Sequence, residues 1–227
     1  QVQNKLYEGT VGVKRTDIED DNVGVYKPLF AEMGRAASAH ADEIVFGLLA
    51  AGETTNGYDG QPFFSAAHPV YPNVDGTGTA VNTSNLGAGA ATPWYLLDTG
   101  RALKPLIFQE RTQPELEVLD ARQDEGVFMR DEYRYGVRYR CNAGFGFWQM
   151  AYKSKATLDA ANFNAAMTAM MNFKADGGRP LGIKPTVLVV PPSLRAAAIE
   201  IVKNERLANG ASNPNFGVVD LIVSPWL

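Results

Sequence analysis

The stretch TVLVVPPSLRAAAIEIV, residues 186–202, joins a short apolar run to a helical pattern and decides the fold class of this 227-residue chain. Its four consecutive apolar residues, 187–190, can be buried together only in a strand that is covered on both faces of its sheet. Pro191 follows directly, and apolar residues then recur at helical spacing over 194–202. The stretch therefore predicts a buried strand that is followed by a helix packed against it.

Helices and strands also alternate on either side of this stretch. Apolar spacing predicts a helix over residues 158–174, which Gly177 and Gly178 end, and a final strand over 218–223. The region 94–152 is strand-rich, with a short apolar segment at 103–108. Together these elements indicate the α+β class.

Residues 133–141 alternate more regularly than any other part of the chain. Tyrosines, Val137 and Cys141 would share one face, and Arg134, Arg138 and Arg140 the other. This pattern predicts a half-buried strand, followed by a second apolar strand over 143–152. Cys141 would be an inert packed cysteine, because reactive thiols need an exposed, electropositive site.

A strand is also predicted at residues 4–16, where few apolar side chains are available to form a core. A single strand is not stable alone, so its partner is expected upstream or on another chain. An acidic run follows and would cap a helix over 23–51, with a break possible at 38–40. Residues 53–93 are rich in turn residues and would form one long irregular loop, pinned by an aromatic cluster, Tyr58, Phe63, Phe64 and Tyr71.

Composition excludes several classes of protein. Hydrophobic residues make up 45% and charged residues 20% of the chain, as in an ordinary folded domain. One cysteine excludes an intrachain disulfide framework, and with only two histidines a zinc site within one chain is not expected. The net charge of −4 argues against nucleic-acid binding driven by overall charge. No apolar run is long enough for a transmembrane helix, and no secretory signal is visible.

No recognised catalytic constellation is visible. The glycines match neither the phosphate-binding loop nor the dinucleotide fingerprint, and there is no nucleophile elbow. His68, which precedes Pro69, is expected to have a structural hydrogen-bonding role, and His40 a surface or interface position. We therefore predict that the chain is not an enzyme and carries no catalytic, cofactor or metal site.

Five stretches resemble the major head subunit family of Mu-like bacteriophages, and they lie in the family's order over nearly the whole chain. They are EGTVGVKRTDIEDDNVGVYKPLFAEMGR at 8–35; YDGQPFF, HPVYPNVDGTG and VNTSN within 58–85; WYLLDTGRALKPLIFQER at 94–111; GFGFWQMA at 144–151; and DGGRPLGIKPTVLVVPP at 176–192. The resemblance implies the HK97-type capsid fold, with an N-terminal arm, an E-loop hairpin, a spine helix, a P-domain and an A-domain.

The resemblance also implies a division of the chain. Residues 1–20 would be the returning strand of the E-loop, and 21–155 the spine helix and P-domain with the long loop 53–93. Residues 156–227 would be mostly A-domain, in which 187–190 would form the central strand of the sheet. Family members carry a segment before the position of Gln1, so the arm and first E-loop strand are expected upstream.

The function that the resemblance implies is a self-assembling capsid subunit. Such a subunit would form hexamers and pentamers of an icosahedral head enclosing double-stranded DNA, assembled in the cytoplasm of the bacterial host. Its partners would be identical subunits, portal, scaffold and possibly decoration proteins, and packaged DNA by non-specific contact, with no membrane and no cofactor. An encapsulin-like shell that encloses cargo and a soluble enzyme of unrecognised chemistry are the alternatives.

Charged and exposed strand residues are the candidate inter-subunit contacts. On the first strand and the acidic run they are Leu6, Tyr7, Val11, Val13, Lys14, Arg15, Asp17, Glu19, Asp20 and Asp21; on the later strand they are Arg134, Arg138 and Arg140. The arginine face has two interpretations. It would either meet acidic patches of an adjacent subunit or point inward and touch packaged DNA.

Overall fold

Two compact units make up the protein. The computed structural model describes residues 2–20, 24 and 26–227. The first unit contains Gln1–Val45 and Phe108–Gly144, and the second contains Phe46–Ile107 and Phe145–Leu227. Helices and strands occur in both, which confirms the α+β class. The division into E-loop, P-domain and A-domain at residues 20 and 155 stays a prediction.

A five-stranded sheet forms the centre of the second unit. Its strand order is β10-β9-β5-β8-β4, with β9 parallel to β10 and antiparallel to β5. The strands are β4 (Leu86–Gly87), β5 (Trp94–Leu97), β8 (Ala151–Ser154), β9 (Val187–Val190) and β10 (Asp220–Val223). All four residues of β9 are buried, which confirms the predicted buried strand.

The middle strand of that sheet is β5 rather than β9, so the prediction of a central position for residues 187–190 was wrong. Residues Trp94–Leu97 are also continuously buried, and β5 pairs with both β8 and β9. Beyond β9 lies only β10, where Asp220 and Ile222 are exposed. Two continuous apolar strands therefore share the interior of the sheet, and only the pairing decides which one is in the middle.

Helices and aromatic side chains complete the core of the second unit. Helix α4 (Ala160–Met171) buries Phe163, Ala166 and Met170, and the side chain of Asp159 accepts a hydrogen bond from the Asn162 amide at its N-terminus. Helix α5 (Arg195–Val202) buries Ala198, Ile201 and Val202. Short 3₁₀ turns span Ala51–Glu53, Trp148–Met150, Asp176–Gly178 and Pro192–Leu194.

The region 53–93 is not wholly irregular, contrary to prediction. Strands β2 (His68–Val70) and β3 (Val81–Thr83) pair antiparallel within it, and β4 joins the main sheet. Strands of two or three residues are too short to produce a periodic sequence signal. Phe63 and Phe64 are buried, as the predicted aromatic anchors should be, whereas Tyr58 is 59% exposed.

The first unit is built on a three-stranded sheet of order β1-β7-β6. Its strands are β1 (Lys5–Lys14), β6 (Leu106–Leu119) and β7 (Glu132–Phe145), and its helices are α1 (Arg15–Glu19), the start of α2 (Tyr26–Ala50) and α3 (Glu125–Arg130). The expectation that the partner of the first strand lies upstream or on another chain was wrong. Strand β1 pairs antiparallel with β7 of the same chain, from Lys5 opposite Cys141 to Lys14 opposite Glu132.

Three further boundaries differ from the sequence-based expectations. Helix α2 is continuous through residues 38–40, so the suggested break is absent. Asp17 and Glu19 lie inside the short helix α1 and do not cap α2, while residues 21–23 and 25, including Asp21 of the acidic run, lie outside the described residues. The predicted strand 143–152 is divided, because β7 ends at Phe145 and a 3₁₀ turn precedes β8.

Candidate subunit-contact surface

One face of the first unit's sheet packs against the chain's own helix. Tyr7 stacks on Tyr139 with ring centres 5.6 Å apart, and the ring of His40 from α2 packs edge-on against Tyr7 with centres 4.2 Å apart. Phe30, earlier on the same helix, packs edge-on against Tyr135 with ring centres 5.0 Å apart. Burial is the main cause that raises the pKa of Tyr139, whose hydroxyl hydrogen-bonds His40 Nδ1. This face is therefore an internal one.

Three apolar candidate contacts consequently contribute to the subunit's own packing. Val13 is buried at 2% exposure, and Tyr7 and Val11 lie opposite Tyr139 and Tyr135 in the strand register. Val13 is therefore not free to bind another subunit. Tyr7 and Val11 are half-buried, and their contact with a neighbouring subunit stays a prediction.

The opposite face of the sheet is polar and open. Arg138 and Arg140 are exposed, and they lie opposite Glu8 and Leu6 of β1. Within the part of the chain that the structure describes, neither arginine has a carboxylate within ion-pair distance, whereas Arg134 lies 3.8 Å from Glu132. Two positive charges on this face thus have no carboxylate partner among the described residues. We call this surface, which contains Leu6, Glu8, Arg138 and Arg140, the arginine face.

The acidic run is partly used within the subunit. Arg15 Nε donates to Glu19 at 2.9 Å, and the Tyr26 hydroxyl donates to Asp17. Asp20 ends helix α1 and is exposed, and Lys14 at the end of β1 is exposed as well. Because Asp17 and Glu19 already accept hydrogen bonds within the subunit, they are less available to bind a neighbouring subunit.

A second exposed surface was missed by the sequence analysis. We call it the hairpin tip, residues 116–129, where β6 ends and α3 begins. Leu116 is 61% exposed, and Phe128 and Met129 are 80% and 69% exposed. The signal was present in the alternating sequence ELEVL at 115–119, but it was not recognised as a strand. Exposed apolar side chains that are grouped in one segment are typical of surfaces that bind another molecule.

The chemistry of the site residues does not indicate catalysis. Cys141 is fully buried, and burial is the main cause that raises its pKa, so the thiol stays protonated and is a poor nucleophile. No group of three or more possible metal ligands occurs among residues 2–20, 24 and 26–227. In the same residues, no helix is long and apolar enough to cross a membrane. The exposed arginines and apolar side chains instead indicate surfaces of the kind that contact other proteins.

Sequence comparison identifies the kind of assembly. A sequence profile of the family described as "Mu-like prophage major head subunit gpT" matches residues 1–227. The major capsid protein of Escherichia phage Mu is 49% identical over 232 residues, which cover 100% of this chain and 76% of that protein. The Mu-like prophage FluMu major head subunit of Haemophilus influenzae is 48% identical over 219 residues, covering 94% and 71%. The chain belongs to the Mu-like major head subunit family.

Solved capsids have the same fold. The procapsid of bacteriophage JBD30 is 62% identical with a TM-score of 0.85, and the match covers 99% of this chain and 76% of that one. The JBD30 capsid is 38% identical with a TM-score of 0.83, covering 99% and 75%. The HK97-type capsid fold and the function of a major capsid subunit in a homo-oligomeric virion shell are thereby confirmed. The family is structural rather than enzymatic, and the encapsulin alternative is not favoured.

Proposed function

We propose that copies of this chain form the hexamers and pentamers of an icosahedral phage head that encloses double-stranded DNA. The observation that carries the proposal is the arginine face, which the subunit leaves uncovered in a protein whose relatives build shells. Identical subunits in a closed shell repeat each contact many times, so individually weak contacts suffice.

The proposal also assigns each part of the chain to a region of the capsid fold. Residues 1–20 serve as the returning strand of the E-loop, 21–155 as the spine helix and P-domain, and 156–227 mostly as the A-domain. The 25-residue helix α2 supports the spine assignment. Full pairing of β1 with β7 supports a returning strand whose base is anchored in the sheet of its own subunit.

The arginine face contacts an acidic patch of the adjacent subunit, such as the one that contains Asp20. A single exposed ion pair stabilises an interface by only about 0–1 kcal/mol. Repeated around a closed ring, such pairs nevertheless set the orientation of subunits and make assembly sensitive to salt. The rival interpretation, contact with packaged DNA, requires no role for these arginines in an empty shell.

Charge reversal tests the proposal without any genome present. We expect the Arg138→Glu variant to fold normally, because Arg138 is exposed, but to form fewer empty shells and to lose part of the salt dependence of assembly. Electron microscopy and sedimentation of the purified protein measure both quantities. Normal empty shells with unchanged salt dependence would contradict a subunit contact and favour the DNA interpretation.

Glu8 supplies the matched control, since it lies opposite Arg138 across the strand pair. The double variant Glu8→Arg with Arg138→Glu restores opposite charges within the subunit while keeping the reversal at position 138. If this double variant assembles normally, the defect of the single variant came from cross-strand repulsion inside one subunit and not from a lost contact between subunits.

Further partners follow from the proposed place of the subunit in a head. They are portal, scaffold and decoration proteins, together with packaged DNA through non-specific contact, and assembly takes place in the host cytoplasm. One solved JBD30 capsid is decorated with minor capsid protein trimers, which supports the decoration partner. The net charge of −4 supports only local, non-specific contact with DNA.

A further inference from the structure

His68 is a buried histidine whose two ring nitrogens both have oxygen partners. Its side chain has no exposed surface; Nδ1 lies 2.6 Å from Asp59 Oδ2, and Nε2 lies 3.1 Å from Asn85 Oδ1. The ring stacks on the indole of Trp148, with centres 4.1 Å apart and planes tilted by 7°. The predicted structural hydrogen-bonding role of His68 is confirmed, and its partners also determine how many protons the ring carries.

Backbone groups determine which way the Asn85 amide points. Its Nδ2 donates to the carbonyl oxygens of Phe63 at 2.8 Å and Trp148 at 3.3 Å, while its Oδ1 accepts from the Ser65 amide at 2.9 Å. A rotated amide would oppose donor to donor and acceptor to acceptor at these positions. Oδ1 therefore faces His68, and Nε2 of the ring must carry a proton.

Asp59 requires a proton on the other ring nitrogen, Nδ1, as well. Its Oδ1 accepts from the Gln61 amide at 3.2 Å, and its Oδ2 faces His68 Nδ1. An ionised carboxylate can only accept hydrogen bonds, whereas a neutral imidazole has only one N–H to donate. Two acceptors around one ring require two ring protons.

We infer that His68 is a doubly protonated imidazolium in the folded subunit, and that its second proton holds Asp59 against the ring that stacks on Trp148. We call Asp59, His68, Asn85 and Trp148 the His68 clamp. Two of its hydrogen bonds join segments of the loop, and the stacked indole joins them to the core. This inference concerns the fold of the second unit and does not depend on the proposed shell contacts.

Two contacts of the ring suit a positive charge. Asp59, the carboxylate in direct contact, is itself mostly buried. The ring also stacks on the indole of Trp148, and the face of an indole attracts a cation.

The second ring proton matters for the packing of the loop. A ring with a single proton would leave either Asp59 or Asn85 without a donor, and the loop 53–93 is the segment that would loosen.

Nitrogen NMR of the histidine rings tests the protonation state directly. The chain has only two histidines, so two sets of ring signals are expected, and the His40→Gln variant assigns them. At pH 7.5 we expect both ring nitrogens of His68 to carry a proton. One protonated and one bare nitrogen in the His68 ring at that pH would overturn the inference.

The Asp59→Asn variant tests the clamp by a second route. The side-chain amide that this substitution introduces can donate to a bare Nδ1, so a neutral ring would satisfy all partners and no second proton would be needed. In nitrogen NMR at pH 7.5, we therefore expect the His68 ring of Asp59→Asn to have one protonated and one bare nitrogen.

The Asp42→Asn variant is the matched control, because Asp42 is an exposed carboxylate on α2. Its His68 ring should keep both protons at pH 7.5. If the ring of Asp59→Asn also keeps both protons, Asp59 does not hold the second proton and the inference is wrong.

Discussion

At the residue scale, Val189 lies in a part of the second unit's core where a new charge would have no partner. It has no exposed surface and lies in β9, between Tyr95 of β5 and Ile222 of β10. We expect Val189→Asp to lower the free energy of unfolding by about 3–5 kcal/mol, because an unpaired carboxylate would be buried. Urea unfolding measures the change.

An exposed valine in the same unit provides the control for this prediction. Val218 is 46% exposed, so Val218→Asp should change the free energy of unfolding by no more than about 0.5 kcal/mol. Equal effects at the two positions would mean that β9 is not the buried strand described here.

Glu53 is a second residue with a large expected effect. Its carboxylate lies 2.6 Å from the Lys153 ammonium and 2.5 Å from that of Lys155. Lys153 is almost fully buried, with its ammonium 5.4 Å from the ring centre of Tyr95. We expect Glu53→Gln to destabilise the protein by about 2–3 kcal/mol at pH 7, since a buried cation would lose its counter-charge.

The pH dependence of the same substitution has a definite sign. Burial alone would raise the pKa of Glu53, but hydrogen bonds and charges from Lys153 and Lys155 outweigh it and lower the pKa. The stabilisation is therefore present above the unfolded value near 4.3 and is lost as the pH falls through the folded pKa. Tm measured from pH 3 to 7 should fall less steeply in Glu53→Gln than in wild type, while the exposed Glu205→Gln should match wild type.

At the element scale, helix α2 contains glycines that its own subunit does not require. A Cβ added at Gly34 would meet no atom within 4 Å. We expect Gly34→Ala to raise the free energy of unfolding of the dispersed subunit by about 0.5–1 kcal/mol, because alanine loses less backbone entropy in a helix. Denaturant unfolding of the two proteins checks the direction.

Gly146 is the opposite case and serves as the contrast. It lies at the bend between β7 and the 3₁₀ turn, where its amide donates to the Pro105 carbonyl at 2.8 Å. A Cβ there would lie 2.0 Å from the Lys104 carbonyl oxygen, so Gly146→Ala should destabilise the protein. A stabilising Gly146→Ala or a destabilising Gly34→Ala would show that the local packing differs from this description.

At the scale of the whole molecule, substitutions in the hairpin tip test assembly independently of folding. Phe128 and Met129 are too exposed to support the fold, so replacing both with serine should change the free energy of unfolding by less than about 0.5 kcal/mol. If another subunit covers them in the shell, the same variant should assemble poorly. Sedimentation and electron microscopy measure assembly, and urea unfolding measures stability.

Two other substitutions in the hairpin tip are controls for that experiment. Gln123→Ser changes an exposed polar residue and should leave both folding and assembly intact. Val127 is buried, so Val127→Ser should reduce stability. Shells that form normally from the Phe128→Ser, Met129→Ser double variant would show that the tip is not a subunit contact.

Much of the candidate surface could be predicted from local patterns. Alternation at residues 133–141 separated a tyrosine face from an arginine face, and the structure has Arg138 exposed and Cys141 buried. Side chains alternate along any strand, so this assignment needs no knowledge of the neighbouring strands. The hairpin tip was missed although the same kind of pattern was present, because Leu116 and Val118 would conventionally be assigned to a core.

The sequence by itself determined the α+β class, the family and the buried strand Val187–Val190, because composition, periodicity and motif order are local properties of the chain. Only the tertiary structure decided that β1 pairs with β7, that β5 is the middle strand, and that Asp59, Asn85 and Trp148 meet around His68. Which distant segments pair depends on the free energy of the whole chain, in which many alternative pairings have similar local patterns. For that reason even the hydrogen-bond partners of one buried histidine are residues that the sequence pattern did not bring together.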